Sequence, residues 1–320
     1  MSDWMHAHPI DALLAGFGVV FVCASLGRRL YERTGRPSGG FAQRLENWWA
    51  LWFLLVFVSV TGTPGSIFAF GLMSLLALRE FITLAPTARG DHRALFWSFF
   101  VVTPVQYALI VMDQYALFSI LIPVYGGMVI AGRAMLAGQT EDFLQRIATI
   151  QWALLTCIYC LSYAPALYLV EFNGETPGDF GALVFVLIIV SLTDLVQAVV
   201  TPYLPRHRLA PRVSAHKTWE GLIVATLAMT ALSAGALAWM LDLSAIEAGL
   251  VGLVVSSGSV ISEMVLSAVK RDRGIRNYRR MDEADNEIVV EVHGEVLDRI
   301  SGLVFAAPVA YHLLAMLHAM

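Results

Sequence analysis

Polar chemistry in this chain is concentrated in its last third, in three short segments that mix acids, bases and hydroxyls. They are His207-Arg-Leu-Ala-Pro-Arg-Val-Ser-Ala-His-Lys-Thr-Trp-Glu-Gly221, Ser262-Glu-Met-Val-Leu-Ser-Ala-Val-Lys-Arg-Asp-Arg-Gly-Ile-Arg-Asn277 and His293-Gly-Glu-Val-Leu-Asp-Arg299. Each lies at the mouth of an apolar run. Acids and bases clustered there suit a metal and a phosphate better than they suit simple anchoring. A transfer between a nucleotide and a lipid phosphate brings two anions together and builds charge at a pentacoordinate phosphorus. Mg²⁺ held by one or two carboxylates and by phosphate oxygens neutralises that charge, and Lys or Arg clamps assist it.

The chain carries those parts. Glu263, Asp298 and Asp194 offer carboxylates for a metal; Lys217, Lys270, Arg271, Arg276 and Arg299 offer cations; Ser214, Thr218 and Ser267 offer hydroxyls. Asp194 lies inside an apolar run, where a charge costs roughly 2.5–3.5 kcal/mol on insertion scales and usually faces the protein interior. Gln197 and Thr201 share its helical face; the plainer alternative is an interhelical hydrogen bond. Glu263, Ser267 and Lys270/Arg271 recur at i, i+4 and i+7/i+8, on one helical face. A snorkelling basic helix end accounts for Lys270 and Arg271 but not for Glu263. No Walker-type glycine-rich loop is present, so a nucleotide would be held another way.

The elements that must position these residues are membrane helices. Hydrophobic residues make up 58% of 320 and charged residues 14%, and mean hydropathy is +0.67, whereas a soluble domain carries about a quarter charged residues. The expected fold is an all-α polytopic membrane bundle of about ten helices. Apolar windows long enough to cross a bilayer fall near 10–27, 46–62, 65–84, 94–112, 115–132, 148–170, 180–202, 221–241, 245–269 and 302–319. The first is the weakest, thinned by Asp11 and its glycines. We read residues 1–175 as N-terminal helices and 176–320 as a catalytic region with polar loops, together a single membrane domain.

All 21 Lys and Arg can be placed on one side of such a bundle. Since cytoplasmic loops collect Lys and Arg, both termini are expected outside and the polar segments in the cytoplasm. The expected location is a plasma membrane, in bacteria the inner one. The start lacks a basic n-region and a small-residue cleavage site, so it reads as an anchor rather than a signal peptide. There is no nucleic-acid module.

In the N-terminal half the arginines, Arg133 and Arg146 among them, read as lipid contacts and topology anchors. Trp48, Trp49 and Trp52 read as an interfacial aromatic belt. Arg79 and Glu80, in Leu78-Arg-Glu-Phe81, are expected to pair with each other or with a neighbour. Cys157 and Cys160 have CxxC spacing but sit in an apolar helix, where plain packing is the expected role.

The three polar segments, in this order and spacing, resemble those of the phosphatidate cytidylyltransferase (CDP-diacylglycerol synthase) family. The run from His207 to Gly221 resembles that family's cytoplasmic loop ending in Lys-Thr-Trp-Glu-Gly. Ser267 to Arg276 resembles its Ser-x-x-Lys-Arg segment, and His293 to Arg299 its His-Gly-Gly-x-x-Asp-Arg segment; Leu78 to Phe81 agrees upstream. The resemblance covers about residues 190–310. It implies Mg²⁺-dependent attack of a phosphatidate oxygen on the α-phosphorus of CTP, with release of pyrophosphate. It also implies metal binding at Glu263 and Asp298, in which Glu263 stands where the family has Asp. By the same resemblance Lys217, Ser267, Lys270, Arg271 and Asp298 would be catalytic, and Ser214, Thr218, Arg276, His293 and Arg299 would bind substrate.

This sequence departs from the pattern at Arg276-Asn277 (Lys-Asp in the family), at Glu295 (the second Gly) and at Ser301 (Asp). Its loop between Asn277 and His293 is longer and acidic. The expected partners are CTP, phosphatidate or a similar lipid phosphate, membrane lipids and a second copy of the chain. The competing readings are a paralogue acting on another lipid phosphate, an inactive scaffold of lipid synthesis, and a transporter using Asp194. The last fits poorly, because transporters tend to repeat their broken helices in both halves.

Overall fold

The computed structural model describes residues 9–33, 39–84, 91–169, 181–204, 207–214, 217–241, 243–272 and 295–318. The described residues are almost all helical. We label the helices α1 (Pro9–Arg33), α2 (Gly39–Leu84), α3 (His92–Val111), α4 (Tyr115–Met135), α5 (Phe143–Ala166), α6 (Gly181–Val200), α7 (Trp219–Met240), α8 (Ala245–Asp272), α9 (Glu295–Ile300) and α10 (Leu303–His318). Among the described residues eight helices are long and apolar enough to cross a membrane. The chain is an all-α polytopic membrane bundle.

The ten expected windows all fall on helices, yet two differ from expectation. Windows 46–62 and 65–84 lie on the single element α2, which breaks at Gly62 (φ 65°, ψ −153°). That conformation is open to glycine and strained for other residues. Pro64, two residues on, has no N–H to give to the preceding turn. The other difference is α1, which is helical but is not among the eight. Its sequence mixes Asp11, Arg28, Arg29, Arg33 and three glycines into the apolar run. Short π-helical turns widen α3 at Ser98–Val102, α4 at Leu121–Gly126, α5 at Leu155–Tyr159 and α7 at Ser233–Leu237.

The C-terminal half packs around α8, which contacts α6, α7 and α10. The face of α8 that meets them is small: Gly252, Ser256, Ser259 and Ser262 are buried beside Val251 and Val255. Without water to drive association, helices in lipid gain by close approach across small residues. The contact at Gly252 is tight enough to test. A Cβ there would overlap the Ser233 hydroxyl and lie 2.9 Å from the Met229 carbonyl oxygen. Gly252→Leu is therefore expected to push α7 from α8 and cost about 1–3 kcal/mol. A thermal midpoint equal to that of the parent in the same detergent would contradict this packing.

The two halves meet through α5 against α10 and through α2 against α9. Tyr163 joins the first contact by its hydroxyl, 2.9 Å from Tyr159 Oη and 3.3 Å from His312 Nε2. The boundary near residue 175 lies outside the described residues.

One side-chain expectation for the N-terminal half changes, and two others gain partners. Arg146 is not a lipid contact: it is buried, its Nε 3.1 Å from Asp91 Oδ2, and it donates to the Gln139 carbonyl at 3.2 Å. Arg133 lies over the Trp97 ring at 5.8 Å. Trp49 and Trp52 are half-buried, with Trp49 Nε1 donating to Ser25 Oγ and Trp52 Nε1 to the Leu14 carbonyl, each at 2.9 Å. They fasten α1 to α2 because an indole N–H in an apolar layer needs an acceptor. Cys157 is buried and Cys160 half-buried, both as free thiols, in agreement with a packing role.

Candidate active site

The loop ahead of α7 is built to deliver one lysine. Leu209 N–H donates to the Lys217 carbonyl at 3.0 Å and Trp219 N–H to the His207 carbonyl at 2.9 Å, so residues 207–209 and 217–219 run antiparallel. A turn at Ala210–Ser214, closed by amides donating to the Ala210 carbonyl, reverses the chain. The His207 side chain pairs with Glu220 on the first turn of α7. Thr218 is the N-cap: its Oγ1 accepts from Gly221 N–H at 3.1 Å and satisfies an orphan donor of the helix. Its side chain is buried, and Ser214 is half-buried in the turn.

Lys217 emerges from this hairpin between two acids of different helices. Its ammonium pairs with Glu263 of α8 and lies 3.6 Å from Asp194 Oδ1 of α6. Lys217 and Glu263 are each 16% exposed, whereas Asp194 is 44% exposed. The acid inside α6 thus has a cationic partner from a neighbouring element, and the small cluster already gathers two carboxylates around one positive charge.

Two turns further along α8, Lys270 pairs with Asp298 of α9. Lys270 is 10% exposed at its side chain and Asp298 47%. Ser267, between Glu263 and Lys270, donates its hydroxyl to the Glu263 carbonyl at 2.7 Å. The polar face expected on α8 is therefore real, and its two charged ends take partners from separate elements. Arg271 and Arg299 are exposed. Arg276, Asn277 and His293 lie outside the described residues, as does the long acidic loop.

The α9–α10 junction holds Asp298 and Glu263 in register. Ser262 Oγ donates to the Ser301 carbonyl and accepts from Phe305 N–H at 3.4 Å. Gly302 follows, packed so closely that a Cβ would lie 2.7 Å from Ser259 Oγ, 2.9 Å from Val190 Cγ1 and 3.2 Å from Glu263 Oε1. Glycine at 302 is thus required by close approach, with α6, α8 and α10 meeting at this point. Ser301, where the resembling pattern has Asp, turns its hydroxyl back to the Asp298 carbonyl at 2.8 Å.

Two further residues reach the site without having been singled out for it. Gly302 is one, and only its small size could have signalled it. The other is Glu80 of α2, whose Oε2 accepts from Val296 N–H at 2.9 Å and Leu297 N–H at 3.1 Å. An acid at the end of an apolar helix was a visible signal, but its partner lies 216 residues away.

Chemically, the arrangement offers hard oxygen ligands and two ammoniums. Among the described residues no three His, Cys, Asp or Glu side chains converge as a metal cage. Glu263 with Asp194, and Asp298 separately, could each give one or two carboxylate oxygens to a hard cation. That is the share Mg²⁺ normally takes from protein when phosphates and water complete its shell.

The chain is similar to known proteins over most of its length. The model of the "Cytidylyltransferase family" matches residues 42–317. An uncharacterized protein of Escherichia coli (strain K12), YnbB, is 29% identical over 309 residues, covering 95% of this chain and 97% of that protein. A phosphatidate cytidylyltransferase of Brucella abortus is 30% identical over 257 residues, 79% of this chain and 84% of the relative. A phosphatidate cytidylyltransferase of Mycobacterium leprae is 30% identical over 149 residues, 44% of this chain and 43% of the relative.

Proposed function

The chain belongs to the cytidylyltransferase family, a family of nucleotidyltransferases, and from that premise we propose that it transfers a cytidylyl group from CTP to phosphatidate in the presence of Mg²⁺. A phosphatidate oxygen attacks the α-phosphorus of CTP, and a new P–O bond forms. The bond to the bridging oxygen breaks, and pyrophosphate leaves with that electron pair. The products are CDP-diacylglycerol and pyrophosphate. The attacking phosphate is already anionic, so no general base is required.

The observation that carries this reading is the pair of lysine–carboxylate clusters at one end of the bundle, where a soluble nucleotide and a lipid headgroup can both arrive. Asp194 and Glu263 meet at Lys217, and Asp298 meets Lys270. Mg²⁺ held by Glu263 with Asp194 beside it, and by Asp298 separately, would supply charge neutralisation at the phosphates. Lys217 and Lys270 would then turn from their carboxylates to phosphate oxygens. Arg271 and Arg299, exposed beside the site, fit phosphate contacts from solvent. Ser214, Ser267, Thr218, Arg276 and His293 keep the roles that the resemblance implies. We place the basic loops in the cytoplasm on the distribution of Lys and Arg, in a plasma membrane and, in bacteria, the inner one. A second copy of the chain remains the expected protein partner.

The test is direct. Purified protein, or membranes of a host lacking its own synthase, receives labelled CTP, phosphatidate and Mg²⁺. Label is expected in the lipid phase, with pyrophosphate released in equal amount. Label with another lipid phosphate but not with phosphatidate would reassign the acceptor, the alternative raised by Glu295 and Ser301. No label with any lipid phosphate would overturn the reading.

A further inference from the structure

We propose that Glu80 is a positioning residue of this site, an acid from the N-terminal helices that fixes α9 and through it the Asp298 carboxylate. The proposal rests on the cytidylyltransferase reading above. Its first support is geometric. Glu80 sits near the end of α2, and one oxygen of its carboxylate receives both Val296 N–H and Leu297 N–H. These are the second and third residues of α9, and Asp298 is the fourth. At six residues, α9 is too short to be stable by its own hydrogen bonds. Leu297 and Ile300 bury one side of it, 2% and 1% exposed. The Glu80 carboxylate fixes the other requirement, the direction of its first turn.

The second support is the state of the carboxylate itself. Glu80 Oε1 is buried and makes no hydrogen bond among the described residues. A buried carboxylate with a free oxygen is costly, and a neutral side chain could cap α9 without that cost. Packing alone explains neither the charge nor its distance in sequence from α9.

Three variants and two readouts test this. Hydrogen–deuterium exchange of the Val296–Ile300 amides reports the clamp without reference to activity. The dependence of lipid labelling on Mg²⁺ concentration reports the placement of Asp298. Glu80→Ala is expected to speed exchange across α9 and to raise the Mg²⁺ needed for half-maximal rate by about 10–100-fold, as loss of a group supporting a metal ligand typically does. Glu80→Gln keeps an acceptor for both amides but no charge; it should retain slow exchange and show an intermediate Mg²⁺ requirement. Glu80→Asp should fall short of the amides and resemble the alanine variant.

Unchanged exchange in Glu80→Ala would overturn the proposal. So would a fall in rate by the same factor at every Mg²⁺ concentration, which is what a loss of folded protein produces. Failure of the underlying reading is distinguishable, since the parent protein would then label no lipid while its α9 amides still exchanged slowly.

Discussion

Asp298→Asn and Glu263→Gln, each nearly isosteric, are expected to lower cytidylyl transfer by about 10²–10³-fold or more, the usual effect of removing a group that stabilises developing charge. Neither change alters the shape of the site. Asp298 is about half exposed at the rim of the cluster and, among the described residues, its side chain bonds only to Lys270. Its backbone is held independently by Glu80 and by the Ser301–Ser262 contact. The variant should therefore fold, with a thermal midpoint close to that of the parent. Glu263 is more enclosed, against Gly302 and Lys217, and Glu263→Gln should lose more stability than Asp298→Asn. The measurement is initial rate of lipid labelling with saturating CTP, alongside thermal unfolding in the same detergent. Full activity in both variants would remove these carboxylates from the chemistry.

Lys217→Met is expected to separate cation binding from catalysis. The ammonium occupies the space between Asp194 and Glu263. Removing it takes a positive charge from between two acids, which raises the affinity of that pair for a divalent ion. Resting protein without nucleotide should then bind Mn²⁺ more tightly than the parent, as read by electron paramagnetic resonance. Transfer should nevertheless fall by about 10²–10³-fold, since a clamp on the transferring phosphate is gone. The stability cost without metal should be smaller than the roughly 3–5 kcal/mol of breaking a fully buried pair, because Asp194 reaches solvent. Weaker Mn²⁺ binding would show that Lys217 organises the carboxylates rather than competing for them.

These residues were unequally legible in the sequence. Glu263 and Asp194 stood out because a carboxylate in an apolar helix is costly and needs a reason. Lys217, Lys270 and Asp298 stood out through their blocks of neighbours. Their pairing did not. Lys217 reaches acids 23 positions before it and 46 after it, which spacing on one helix cannot encode. Glu80 was visible as an acid at a helix end, yet nothing in its surroundings pointed to α9. Arg146 was misread for the opposite reason. Its neighbourhood is that of an ordinary basic loop, and only the fold reveals Asp91 buried against it. The partners of the α2 tryptophans were hidden in the same way, since an indole at a helix end satisfies its N–H equally well at a headgroup or at another helix.

By itself the sequence determined the class of protein and the material of the site. Transfer of a segment into lipid is a sum over its own residues, so the apolar windows could be read locally, and the acids that interrupt them announced themselves by cost. Only the tertiary structure decided what those acids do. It joined Asp194, Lys217 and Glu263 from three elements, turned α9 by a carboxylate from α2, and pressed Gly302 against Glu263. Those are contacts between segments distant in sequence, selected by packing of small residues and by the need of buried charges for partners, and neither acts within a window of one helix.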